Sequence, residues 1–334
     1  MNKTSTSRNA RIATIAVALL LLSGAIIIAL NWSTAVGVLR QANWFMVPMA
    51  LLFTAASYVC ASYSFFIICR IFGIKLEMRR LVEIGFVSTV VDNLLATGGI
   101  PGLSMRVILL RHSGINTDEA LAPSFFRSYF NNIIFFALLP LGLIGMVLNR
   151  TVTVRQSFGF GIAAGILITL IILSSVLVFI TELHRLIINA LSYLWRLFFR
   201  RDIRQPLLQF DAIFKAGIER IKKQPGRLII PLLFTAGDWT STLMSLWFCF
   251  RALGGQMGFG VLTTGFVAGV TAGIVSFIPG GLGVQDAGMA GIYALFGVPL
   301  AVSVLAAILF RVVYYFMPFM MSLIFYRHLL RTGT

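Results

Sequence analysis

Residues 275–288 read VSFIPGGLGVQDAG. An apolar run stops at Pro279, passes through Gly280 and Gly281, and resumes with Asp286 embedded in it. Proline ends a helix by removing a donor and clashing with the preceding turn. The stretch from Val284 to Gly297 is too short to span a membrane: 14 helical residues cover about 21 Å against a hydrocarbon core of about 30 Å. The segment therefore reads as half of a helical hairpin that enters the apolar phase and turns back.

The rest of the chain supplies that phase. Of 334 residues, 58% are hydrophobic and 11% charged, about half the charged share of a soluble domain. Apolar runs of spanning length predict an all-α polytopic membrane protein forming a single membrane domain over residues 1–334. Six spanning helices are expected near 12–30, 44–69, 121–148, 158–181, 228–252 and 299–326. Two regions, 81–112 and 259–297, are pairs of shorter pieces joined at glycines and are expected to be re-entrant helical hairpins.

The net charge of +16 is read through topology rather than through nucleic acid. With the N-terminus inside, 21 of the 27 basic residues fall on the inner side and four (Arg40, Arg150, Arg155 and Arg251) outside; Arg127 and Arg311 lie within spans. That asymmetry predicts cytoplasmic termini in a cell inner membrane. In the basic loop 182–227, LHRLIINALSYLWRLFFRR and LLQFDAIFKAGIERIKK place apolar residues at helical spacing. They are expected to be amphipathic helices on the cytoplasmic surface against anionic headgroups.

A repeat emerges next. Gly85-Phe86-Val87 recurs as Gly265-Phe266-Val267, each followed by a glycine pair, Gly98-Gly99 and Gly280-Gly281. Gly114 and Gly297 follow, and then spans carrying Arg127 in FFRSYF and Arg311 in LFRVVYYF. Repeat 1 thus covers 81–148 and repeat 2 covers 259–326, with opposite orientations under the charge topology. Inverted repeats with broken helices are a transporter pattern. Gly265, Gly269 and Gly273, matched by Gly85, Thr89 and Asn93, form a stripe that close helix packing explains.

Intramembrane arginines are costly and need partners or water. The matched positions of Arg127 and Arg311 predict convergence on one cavity, where their planar forks would bind a phosphate; ion pairs with Asp92, Asp238 or Asp286 are the alternative. Gly98, Gly99, Gly280, Gly281 and Gly283 allow close approach of a headgroup, with Arg106 near the first break. Asp92, Asp238 and Asp286 are candidates for proton carriage or ion pairing, and Asp286 also suits capping of its own half-helix. The three cysteines lie in or beside apolar runs, and His112, His184 and His328 are scattered near membrane boundaries. Neither set suggests a disulfide framework or a metal site. No GxxxxGK[ST] or HExxH element occurs, so neither a catalytic residue nor a cofactor is assigned and an enzyme is not expected.

FIPGGLGVQDAG, with Gly297 and Arg311, resembles the flippase-like membrane domain of lysylphosphatidylglycerol synthases and its stand-alone relatives. Pro279, Gly280, Gly281, Leu282, Gly283 and Val284 match the family's late motif, with Asp286 in place of its glutamate. Asn93, Gly98, Gly99, Arg106 and Gly114 match an earlier element, although Ala96-Thr97 stand where the family usually has a proline. The resemblance implies movement of a lipid headgroup between leaflets. The chain ends eight residues after Tyr326, and the aminoacyl-transferase domain of bifunctional members is accordingly not expected. The expected cargo is an anionic, phosphate-bearing lipid such as a polyprenyl-phosphate-linked sugar or a phospholipid. Two rivals stand beside this flippase reading: a non-transporting protein that presents lipid to a membrane glycosyltransferase, and an intramembrane enzyme acting on a lipid-linked sugar.

Overall fold

The computed structural model describes residues 32–95, 98–148, 153–180, 204–223 and 225–331, with single positions at 184, 188, 189 and 192. Among these residues the fold is all helical. The elements are α1 (Trp32–Arg40), α2 (Met46–Ile71), α3 (Met78–Leu95), α4 (Ile100–His112), α5 (Thr117–Leu148) and α6 (Val154–Phe179). Then come α7 (Arg204–Lys223), α8 (Ile229–Ala252), α9 (Phe259–Val275), α10 (Val284–Leu295), α11 (Leu300–Phe310) and α12 (Met317–Arg331). A π-helical turn, Arg311–Phe316, joins α11 to α12.

Four described helices are long and apolar enough to cross a membrane: Met46–Ile71, Thr117–Leu148, Phe158–Phe179 and the continuous Leu300–Arg331. The expected span at 12–30 lies outside the described residues. Ile229–Ala252 has 24 residues but is not among the four. Its buried Thr235, Asp238, Thr242 and Ser245 form a polar stripe rather than a lipid-facing surface.

That stripe faces α2. Thr54 pairs with Ser245 at 2.9 Å, Ser57 with Thr242 at 3.1 Å and Ser64 with Thr235 at 2.8 Å, an antiparallel register. Small polar residues let two backbones approach closely in an apolar medium, where the hydrophobic effect gives no drive for helix association.

Both hairpin regions are observed as helix, glycine break and shorter helix. The first has limbs of 18 and 13 residues and is followed by the 32-residue α5. The second has limbs of 17 and 12 residues, followed by the continuous helix Leu300–Arg331, also 32 residues. Both short limbs end alike: Gly114 (φ +83°) and Gly297 (φ +86°) turn the chain, and Ile115 and Val298 donate N–H bonds back to Leu110 and Tyr293. Left-handed glycine here satisfies the last carbonyls of each helix.

The two units exchange partners. The α9 helix packs against α5, where a side chain at Gly142 would meet Thr264 N at 3.1 Å and Gly260 O at 3.2 Å. The α12 helix packs against α3, with Phe86 and Phe325 edge to face at 5.0 Å and Glu83 Oε2 against His328 Nδ1 at 2.8 Å. Both pairs are antiparallel in register, as are α4 and α5, where Gly98 meets Asn132 and Arg106 meets Ser128.

The close packing expected of the small-residue stripe is observed, with different partners in the two units. The stripe Gly265, Gly269 and Gly273 packs against Tyr293, Met289 and Gln285 of its own hairpin, but Gly85 lies against Ser62 of α2 at 3.0 Å. The matched positions therefore serve different interfaces, because α2 lies beside α3 and takes its small-residue face. The α7 helix is amphipathic, yet its Phe214, Ile218 and Ile221 are buried in a cluster with Phe72, Ala122 and Phe126. Protein covers that apolar face where lipid was expected; the first surface segment lies mostly outside the described residues. The histidines take protein partners: His184 meets Asp211 at 2.6 Å, His328 meets Glu83, and His112 meets the Leu330 carbonyl at 3.3 Å. Among the described residues no cluster suits a metal ion.

Candidate functional site at the glycine breaks

The two breaks lie against each other. A side chain at Gly280 would meet the Leu94 carbonyl at 3.0 Å, and one at Gly98 would lie 3.9 Å from Ile274. Gly280 (φ +68°) and Gly281 (φ +56°) take backbone conformations closed to most side chains. Non-helical backbone at membrane depth leaves carbonyls that something must satisfy.

Each break is satisfied from the long helix of its own unit, by different chemistry. At the first, Asn132 Nδ2 donates to Gly98 O at 3.0 Å and Ser128 Oγ to Gly99 O at 3.3 Å. At the second, Arg311 does the work: Nη1 donates to Gly280 O at 3.1 Å and Nη2 to Gly281 O at 3.3 Å. Its Nε meets both oxygens of Asp286, at 2.7 and 2.8 Å. Asp286 Oδ2 in turn accepts the Gly283 N–H at 3.1 Å, so the capping and ion-pair roles read for it are both observed. Asp92 does the same for the other half-helix, where its Oδ1 accepts the Gly102 N–H at 3.0 Å. Both half-helix N-termini, which favour an anion through their free N–H groups and dipole, thus already hold a carboxylate.

Arg127 has a different environment. It is buried and donates Nη2 to Asp238 Oδ2 at 3.2 Å, Nη1 to Asn131 at 3.2 Å and Nε to Ala61 O at 3.3 Å. Asp238 also accepts Ser57 Oγ–H at 2.6 Å. Thr89, Asp92, Asn93, Arg106, Arg127, Asn131, Asp238 and Tyr314 line a polar cavity of about 20 Å³, room for about one water molecule.

This corrects the expected convergence. The second guanidinium in the Arg127 cavity is Arg106, and Arg311 is committed to Asp286 and the Gly280-Gly281 carbonyls. The register explains it: the contact made by Arg311 at the second break is made by Ser128 and Asn132 at the first, so Arg127 is one position off. The cavity is also formally neutral rather than cationic, since Asp92 and Asp238 face the two arginines. Arg106 is the least satisfied of the three. It is 2% exposed, its Nη2 donates to Ser128 Oγ, and its Nε has no hydrogen-bond partner.

Tyr58 and Tyr314 were not foreseen. Pro318 has no N–H to offer the Tyr314 carbonyl four residues back, and Tyr58 Oη donates to it instead at 3.1 Å. Asn93 Nδ2 donates to that same Tyr58 oxygen at 3.0 Å. Tyr314 Oη lies 2.9 Å from Ser57 Oγ and 2.8 Å from Thr242 Oγ1. The π turn therefore carries Arg311 to the second break and Tyr314 to the polar cavity. Single π turns inside α-helices are frequent at functional sites. The sequence signal for the cavity was the polar spacing of Arg127, Ser128, Asn131 and Asn132 in an otherwise apolar helix.

Among the described residues two further hollows stand out. An apolar cleft of about 520 Å³ between α4, α5 and α6 reaches Gly98, Gly99 and Ser128. Another of about 400 Å³, at the start of α5 against α7, contains Asp118, Glu119 and Arg220 and none of the expected site residues.

A polar centre built from two glycine-broken hairpins, inside helices of membrane-spanning length, defines a polytopic helical membrane protein. The chain belongs to the family described as the lysylphosphatidylglycerol synthase TM region, which it matches over residues 12–322. Among its relatives is a UPF0104 membrane protein of Pyrococcus horikoshii, 23% identical over 263 residues, or 74% of this chain and 76% of the relative. The phosphatidylglycerol lysyltransferase of Staphylococcus aureus is 32% identical over 92 residues, or 28% of this chain and 11% of that enzyme.

Proposed function

We propose that this protein is a lipid translocase that moves an anionic, phosphate-bearing headgroup between the leaflets of a cell inner membrane. Its termini would be cytoplasmic, and its cargo a phospholipid or a polyprenyl-phosphate-linked sugar. The observation that carries this reading is the meeting of two glycine breaks beside a buried polar cavity with two guanidiniums. An ion moved alone into hydrocarbon costs tens of kcal/mol in the Born limit, and such a path offers it partners. The antiparallel packing of α5 on α9 and of α3 on α12 supports an inverted repeat, the arrangement in which exchange of the two units' conformations opens a central site to alternate sides. Family membership supports lipid handling, because the relatives include an enzyme named for phosphatidylglycerol.

The test is reconstitution into liposomes with a fluorescent phosphatidylglycerol or polyprenyl phosphate. Leaflet exchange above the protein-free rate, reduced at least tenfold in Arg106→Gln, is the expected result. Exchange equal to protein-free vesicles at several protein densities refutes it. One observation favours a second reading, that the protein presents lipid to a separate enzyme: the region matched in the lysyltransferase relative is 11% of that enzyme, which joins it to further chain. Binding of lipid without exchange would select that reading, and chemical change of the lipid would select an enzyme.

A further inference from the structure

The apolar cleft and the polar cavity share a wall. Ser128 lines both, accepting from Arg106 on the inner side and donating to the Gly99 carbonyl at 3.3 Å. The cleft walls, which include Leu103, Ile133 and Leu170, are apolar, and Ser128 and Asn132 add polar groups beside the Gly98-Gly99 break. Behind Ser128 sits Arg106, buried and with an unpartnered Nε, among the residues that line the cavity. Leu170 is 54% exposed on α6, a helix whose most apolar window is only 6% buried, so in a membrane the cleft would face hydrocarbon.

We infer that the cleft between α4, α5 and α6 is a lateral port that seats one hydrocarbon chain of an anionic lipid, with its phosphate at Ser128 and Arg106. This rests on the translocase reading and adds the side of entry, the chain-binding surface and the headgroup donor. Three features argue for a lipid rather than a soluble phosphate. The walls are apolar, the cleft opens toward hydrocarbon, and the polar cavity behind has room for only about one water molecule. A phosphate arriving through the cleft would therefore halt at Ser128, whose oxygen accepts from Arg106 Nη2, and would reach that guanidinium by displacing the hydroxyl. A buried guanidinium with a spare donor holds phosphate by charge-assisted hydrogen bonds, and the cleft selects the amphiphile that brings it there.

The test uses the full chain in nanodiscs with two photoactivatable probes, phosphatidylglycerol and phosphatidylcholine, each carrying a diazirine in one acyl chain. Labelled peptides are mapped by mass spectrometry. The expected result is labelling around Leu103, Ile133 and Leu170 at least fivefold stronger with the anionic probe. Unlabelled phosphatidylglycerol competes it away and millimolar inorganic phosphate does not. Leu170→Trp, which fills the cleft, abolishes the labelling, whereas Ile172→Trp on the same helix, outside the cleft lining, keeps it. Arg106→Gln lowers the anionic preference toward one; if that variant does not assemble, Ser128→Ala, which removes the hydroxyl at the threshold, is expected to lower it in the same sense.

Equal labelling by both probes, or labelling spread evenly along α6, means annular lipid only and overturns the port. Competition by inorganic phosphate overturns the chain-binding role. The two readings fail separately. Undiminished leaflet exchange in Leu170→Trp would reject the port and keep the translocase, and selective cleft labelling in a protein that exchanges no lipid would do the reverse.

Discussion

Replacing Arg127 by methionine tests whether the buried pair at the centre of the molecule holds the fold or serves the cargo. The Arg127 and Asp238 side chains are 3% and 6% exposed and meet at 3.2 Å. Removing one partner of such a pair costs about 3–5 kcal/mol, because the other charge is left buried. Asp238 keeps the 2.6 Å hydrogen bond from Ser57, and a hydrogen bond to a charged group is worth about 1.5–3 kcal/mol. The expected loss in Arg127→Met is therefore toward the lower end, about 3 kcal/mol, and Asp238→Leu should lose about as much. Replacing both charges with apolar groups is often neutral or better, so the double variant should lose no more than about 1 kcal/mol where the two single losses sum to about 6, a coupling of about 5–6 kcal/mol. Equilibrium unfolding in mixed micelles, followed by tryptophan fluorescence, measures all three. Coupling below about 0.5 kcal/mol is what independent sites show and would refute the pairing. A recovered fold that exchanges no lipid would assign the pair to transport; recovered exchange would make it structural only.

Other outcomes follow from the same contacts. Tyr58→Phe leaves the Tyr314 carbonyl without a donor and should cost about 1–3 kcal/mol. Pro318→Ala restores an N–H to that carbonyl and should reduce the loss in the double variant, measured by the same unfolding. Arg311→Lys supplies no fork able to reach Asp286 and both Gly280 and Gly281 carbonyls, so at least one carbonyl loses its donor, again at about 1–3 kcal/mol; an unchanged unfolding midpoint would contradict this. Gly269→Ala drives a methyl into Met289, and overpacking costs about 1–3 kcal/mol. The added methyl also meets the Gln285 carbonyl at 2.8 Å and the Met289 amide at 3.0 Å, so truncation of Met289 should not rescue it, and full recovery in Gly269→Ala with Met289→Ala would contradict those backbone contacts.

Much of the architecture was written in local pattern. The break at Pro279-Gly280-Gly281, the turns at Gly114 and Gly297 and the four observed long apolar helices follow from backbone chemistry and apolar run length, properties that a segment carries wherever it packs. The capping by Asp286 was equally local, three residues from the N–H it accepts. Family membership was legible for the same reason, since its motif is contiguous.

The pairing of charges was not. Sequence symmetry set Arg127 beside Arg311, but a repeat specifies only which positions correspond. Which side chain reaches a carbonyl depends on helix rotation and depth, and one position along a helix turns a side chain by about 100°. That rotation gives Ser128 and Asn132 the first break, leaves Arg127 to Asp238 on α8, and brings Arg106 in from α4. Tyr58, far along the chain from Pro318, replaces the donor the proline lacks, and no local pattern records that debt. Where the chain must break was thus decided by nearby residues, whereas which guanidinium keeps an unused donor was decided only when helices from both units closed around the break.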